Sequence, residues 1–85
     1  MVISFIISKL TLFRRFILNP TFADFLKNKR LISGLSQEAV ANQLLITRQS
    51  VSKWETSNSI PSLEHLVLLA FLYNFEIEEC LIFFK

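Results

Sequence analysis

The 85-residue chain has one cysteine, one glycine, one histidine and two prolines. A single thiol, Cys80, excludes an intramolecular disulfide, and the lack of a His/Cys cluster excludes a zinc staple, so the fold must stand on packing alone. A reducing cytoplasm fits that usage. Long uncharged runs are missing from the apolar N-terminus. In MVISFIISKLTLFRRFIL the longest is eight residues, Met1 to Ser8, against the roughly 20 that a membrane span needs. The same segment has no charged n-region and no small-residue cleavage site, which argues against a signal peptide. A membrane partner is therefore not expected, a peripheral contact beside Lys9, Arg14 and Arg15 being the alternative.

What is present is apolar surface. The chain is 52% hydrophobic with nine Phe, more than a soluble domain normally carries. A chain of this length forms one small domain and buries only about 60 to 65% of its unfolded surface, so part of the surplus must be covered by a partner or by self-association. Charge is uneven. Residues 1–21 carry +3, residues 22–58 carry +2 and residues 59–85 carry −3, for a formal net charge of +2. A polyanion would dock on the first two thirds and avoid the acidic tail.

Gly34, Pro20 and Pro61 act as punctuation. Before Pro20, Ile3, Ile6, Ile7, Leu10, Phe13 and Ile17 recur at helical spacing opposite Ser4, Ser8, Thr11 and Arg15, which predicts an amphipathic N-terminal extension over residues 1–20. A strand over residues 2–7 is the alternative, because β-branched residues are frequent there. From residue 21 to 85 the sequence predicts an all-α bundle of five short helices. Thr21 and Asp24 form a capping box for a helix through Phe22, Leu26 and Arg30, which Gly34 ends in the left-handed region. Ser36 caps Gln37 to Leu44, Thr47 caps Arg48 to about Thr56, and Ser62 caps a helix through Tyr73 that stops near Asn74. Glu76 to Phe84 is expected to form the last helix.

Residues 35–55 carry the functional signal. At about 100° per residue, Arg48, Gln49, Ser52 and Lys53 fall on one face of their helix and Val51 and Trp54 on the other. The preceding helix buries Val40, Ala41 and Leu44, and only Leu45-Ile46 separates it from the Thr47 cap. Two short helices joined so tightly must cross steeply, with Ala41 allowing close approach. That is helix-turn-helix geometry, which projects the second helix toward a major groove. Arg and Lys can reach guanine O6/N7, Gln can pair with adenine, and Ser adapts to either. Taken without its surroundings, the same polar set reads as an ordinary solvated face.

In order and spacing, "LSQEAVA", "TRQSVSKWE", "IPSLEHLVLLA" and "FEIEECL" make residues 22–81 resemble the lambda-repressor-like (Cro/repressor, XRE) helix-turn-helix domains. The resemblance implies a sequence-specific transcriptional regulator, a repressor by operator occupancy, at work in the cytoplasm on the nucleoid. It places Arg48, Gln49 and Lys53 at base-reading positions with Ser52 beside them, and Ser36, Gln37, Thr47 and the loop at Asn58 against phosphates. It implies that Gln37 braces the recognition helix and that Arg30 and Glu55 pair to tie the first helix to the end of that helix. One departure stands out: Leu45 occupies the turn position that the family fills with Gly, where φ > 0 is favoured and a Leu is strained or reshapes the turn.

Leu68, Phe71, Ile82, Phe83 and Phe84 exceed what a monomer core requires and are expected to form a two-fold interface, pairing recognition helices for palindromic double-stranded DNA. His65 and Cys80 lie on different helices with no second ligand, and no motif arranges Ser, His and Asp for nucleophilic work. No enzyme, cofactor, metal or small-molecule substrate is expected. The rival function is a protein-interaction module on the same fold, such as an antitoxin or a non-binding remnant.

Overall fold

The structure is a computed structural model that describes residues 21–84; the expected N-terminal helix lies outside the described residues. Four α-helices follow in order, α1 (Phe22–Ile32), α2 (Gln37–Leu44), α3 (Arg48–Glu55) and α4 (Leu63–Tyr73), and a 3-10 helix over Ile77–Phe83 completes the domain. No strand occurs among the described residues.

Each α-helix begins at a hydroxyl. The side chains of Thr21, Ser36, Thr47 and Ser62 accept from the backbone N–H three residues on, which satisfies a donor that the helix leaves without an internal partner. At α1 the box is reciprocal: Asp24 N donates to Thr21 Oγ1 at 3.0 Å and Thr21 N to Asp24 Oδ2 at 3.3 Å.

Three helices also end alike. Gly34 (φ 73°), Leu45 (φ 57°) and Asn74 (φ 56°) adopt the left-handed conformation. The next residue in each case folds back, with Leu35 N donating to Arg30 O (3.3 Å), Ile46 N to Ala41 O (3.0 Å) and Phe75 N to Ala70 O (3.0 Å). That six-to-one bond brings an apolar residue down onto the helix it terminates. Accordingly Phe75 is buried, and Leu35 and Ile46 pack against the core. Leu45 itself gains nothing from packing, being 91% exposed.

The core gathers Leu26 of α1, Val40, Ala41 and Leu44 of α2, Val51 and Trp54 of α3, and Leu66, Leu69 and Tyr73 of α4. These are the faces that helical periodicity assigns inward. The last element differs from expectation. Residues 77–83 wind three to a turn rather than 3.6, which puts Ile77, Cys80 and Phe83 in one inward row. Cys80 is wholly buried, and Phe83 packs at ring-centroid distances of 5.6 Å from Phe25 and 6.1 Å from Phe22. Phe83 therefore contributes to the chain's own packing and not to an outward interface. On the same side Lys29 Nζ reaches Glu79 Oε1 at 3.0 Å and sits 5.5 Å from the centre of the Phe25 ring, pinning the 3-10 helix to α1. Among the described residues no helix is long and apolar enough to cross a membrane.

Candidate nucleic-acid interface

The short link between α2 and α3 decides how α3 is presented. Because α2 ends on a left-handed residue and Thr47 caps α3 only two positions later, the chain reverses within Leu45-Ile46. Val51 (1% exposed) and Trp54 (6%) anchor the inner face of α3, each burial contributing on the order of 2 kcal/mol. The outer face is then fixed. Arg48, Gln49 and Lys53 are exposed, Ser52 is half-buried, and the four side chains line one shallow open surface.

Beneath that surface a polar network ties α3 to α1 and α2. Arg30 grips Glu55 through two parallel bonds, Nε to Oε2 at 2.7 Å and Nη2 to Oε1 at 3.0 Å, in the fork geometry that makes Arg–carboxylate pairs strong. Its third branch, Nη1, donates to Leu35 O at 2.9 Å, so the same guanidinium also holds the chain leaving α1. The side chains of Arg30 and Glu55 keep only 10% and 2% of their surface exposed. The hydrogen bond and charge of Glu55 raise the Arg30 pKa above its ordinary value. Burial first and the Glu55 charge second push the neighbouring Tyr73 hydroxyl well above its ordinary value, so it stays protonated.

Gln37 connects this network to the exposed face. Its Nε2 donates to Glu55 Oε1 at 3.0 Å, and its Oε1 accepts from Arg48 Nη1 at 3.2 Å. One amide on α2 thus touches both ends of α3: the buried carboxylate at its C-terminus and the exposed guanidinium at its N-terminus. Arg48 is held in position without being neutralised, since no ion pair among the described residues involves Arg48 or Lys53.

The remaining expected site residues sit around this face. Ser36 and Thr47 are exposed, and their hydroxyls accept from Ala39 N and Ser50 N; Ser36 so used still has its own proton to donate, while Thr47 Oγ1 also shares a hydrogen bond with Ser50 Oγ at 3.0 Å. Asn58 lies in the loop after α3, where Lys53 O accepts from the N–H groups of Asn58 (3.0 Å) and Ser59 (3.3 Å). Asn58 Nδ2 also donates to Thr56 Oγ1 at 2.8 Å. Ser57, at φ 64°, makes the turn. Sequence reasoning missed this wrapping of Lys53 O, and it missed Leu35 O as the third acceptor of Arg30; both are backbone groups, which no side-chain pattern encodes. Of the residues expected at a two-fold interface, Leu68 (43% exposed), Phe71 (83%), Ile82 (62%) and Phe84 (46%) leave apolar surface exposed, and none of them lines the surface formed by Arg48, Gln49, Ser52 and Lys53.

A family profile described as helix-turn-helix matches residues 26–80. A curated relative, the HTH-type transcriptional activator BcrR of Enterococcus faecalis, is 33% identical over 60 residues. Those residues make up 71% of this chain and 29% of the relative, so the chain spans less than a third of that protein's length. No solved structure matches the chain. With two capped helices crossing at a tight left-handed turn, and with the profile covering both of them and α4, the chain belongs to the Cro/repressor (XRE) type of helix-turn-helix proteins.

Proposed function

We propose that the protein is a sequence-specific, DNA-binding transcription regulator that reads the major groove with α3. The observation that carries this reading is the division of α3 into two faces. Arg48, Gln49, Ser52 and Lys53 share one open surface, while Val51, Trp54 and Glu55 are buried opposite. Family membership and the printed role of the curated relative support it. In this reading Arg48 and Lys53 address guanine edges, Gln49 addresses adenine, and Ser52 adapts to its neighbour. Ser36, Gln37, Thr47 and Asn58 set the register on phosphates. The place of work is the cytoplasm, on the nucleoid.

A second copy supplies the rest of the mechanism. Leu68, Phe71, Ile82 and Phe84 leave apolar surface in water, and a two-fold dimer would cover it and set two copies of α3 about 34 Å apart over a palindromic operator. Sedimentation showing a monomer at micromolar concentration, free and on DNA, would remove this part. Operator occupancy alone represses, and that is the direction proposed. The relative, named an activator, supplies the opposite sign, and a reporter gene behind the operator decides between them.

The test is a fluorescence-anisotropy titration on DNA from upstream of the gene, with wild type beside Arg48→Ala/Gln49→Ala. Wild type should bind saturably in excess nonspecific DNA. The double variant should lose about 2 to 6 kcal/mol, thirtyfold or more, for two base contacts. Equal binding by both would refute the assignment of α3 as the reading element. The exposed apolar surface favours the rival, a protein-interaction module on this fold. Rising salt separates them, since counterion release weakens DNA binding steeply and leaves an apolar interface nearly unchanged.

A further inference from the structure

We propose that the groove between α4 and the 3-10 helix is a docking surface for another protein, and that it takes an apolar, positively charged segment of that partner. The groove has a volume of about 380 Å³ and runs between Val67, Ala70 and Phe71 of α4 on one side and Glu76, Ile77 and Glu78 on the other. Val67 is 40% exposed and Phe71 83%, so the domain alone leaves the apolar wall in water. Burial of that wall by a partner's apolar side chains supplies the attraction.

The charge of the groove sets the charge of its occupant. Glu76 and Glu78 are exposed, and no ion pair among the described residues involves either of them. Their neighbour Glu79, by contrast, is taken by Lys29. The last turn of α4, which includes Ala70 and Phe71, carries no basic residue. The negative end of that helix therefore adds to the two carboxylates instead of being offset. A Lys or Arg beside the partner's apolar anchors would meet this charge, which fixes the register of docking and speeds encounter.

Other occupants fit less well. Nucleic acid and anionic lipid are repelled by the same carboxylates. A small cation would not be enclosed, since Phe71 stands mostly in water and small-molecule sites bury most of their ligand. Phe71 is shared with the apolar surface assigned to a second copy. A two-fold contact centred on this groove, however, places the same patch on both sides, so Glu76 and Glu78 would face Glu76 and Glu78, and like charges so placed oppose association. The groove shares no residue with the surface of Arg48, Gln49, Ser52 and Lys53. A partner held there leaves that surface open, and the proposal stands whether or not α3 reads DNA.

The experiment uses the full chain without DNA. The probe is a labelled helical peptide, acetylated and amidated, with one stripe of Leu and one of Lys. Fluorescence anisotropy should show saturable binding. Amide NMR should place it at Val67, Ala70, Glu76 and Glu78 while the signals of Gln37 and Arg48 stay where they are. A peptide with Ser in place of Leu, and one with Glu in place of Lys, should each bind about tenfold more weakly or worse. Glu76→Lys/Glu78→Lys should reverse the order and prefer the acidic peptide; both positions are exposed, and a thermal melt checks that the fold is kept. The three peptides are compared on the unaltered protein, so the outcome does not hang on that variant. Equal affinity for all three, no saturable binding, or shifts centred on α3 would overturn the proposal. So would groove signals that move on dilution without peptide, which would give the groove to a second copy.

Discussion

Glu55→Gln is the sharpest perturbation of the network beneath α3. The carboxylate accepts three hydrogen bonds, two from Arg30 and one from Gln37, at 2.7 to 3.0 Å, and its side chain is only 2% exposed. An isosteric amide keeps one acceptor and turns an N–H₂ toward the guanidinium, so at least one bond is lost and Arg30 stays charged and desolvated. Breaking one partner of a buried pair costs about 3 to 5 kcal/mol. A domain of this size has about 4 to 12 kcal/mol in total, so the variant should sit close to unfolding at room temperature. Each kcal/mol lowers the midpoint of a domain this small by about 4 to 8 °C, giving a fall of about 12 °C or more in thermal melts followed by circular dichroism. Replacing both partners with apolar residues, Arg30→Met/Glu55→Leu, should recover much of the loss, because the penalty is the uncompensated charge and not the missing attraction. A cost under about 1 kcal/mol for Glu55→Gln would refute the reasoning: it would mean that water reaches the pair.

The left-handed Leu45, with its side chain in water, makes Leu45→Gly an unusual stabilising change. Relief of about 1 to 2 kcal/mol of backbone strain, less about 0.5 to 1 kcal/mol of glycine's chain entropy, should raise the urea midpoint with an unchanged slope; a lower midpoint would contradict it. The Glu79 carboxyl is held below the usual carboxylate range, first by the Glu76 N–H and then by Lys29. A depressed folded pKa stabilises above the unfolded value of about 4.3 and is lost as pH falls through the folded one. An NMR titration should therefore find the Glu79 midpoint below the ordinary one, and Glu79→Gln should flatten the stability profile in that acid window. The buried Cys80 thiol, whose pKa burial pushes up, should resist Ellman's reagent in the folded protein at pH 8 and react in full in denaturant.

Much of this was legible because small polar residues at helix starts and left-handed residues at helix ends act locally. Thr21, Ser36, Thr47 and Ser62 each cap the helix that the sequence assigned to them, and Gly34 and Asn74 stop theirs for reasons confined to their own turns. The two faces of α3 follow from spacing alone. The tail was harder. Over seven residues, periods of 3.0 and 3.6 select nearly the same apolar positions, so Ile77, Cys80 and Phe83 read equally as part of an α-helix, and Phe83 was assigned to an outer surface. Only the aromatic contacts with Phe22 and Phe25, more than fifty residues away in sequence, decide where it goes.

The position of Gln37 explains why the most polar part of an apolar chain is also its best-tied part. A helix of eight residues such as α3 is too short to hold its shape by its own hydrogen bonds, and the groove-reading role proposed for it would require its outer face to stay free of packing. The constraint has to come from below and from the ends. Val51 and Trp54 supply the first, and Glu55 with Thr47 the second. Gln37 then carries the rigidity of the buried Arg30–Glu55 pair outward to Arg48 through a single amide. A long side chain that is already oriented loses less conformational freedom on meeting a partner. The strain at Leu45 has its place in the same arrangement, since the left-handed turn that it supplies aims α3 away from α2.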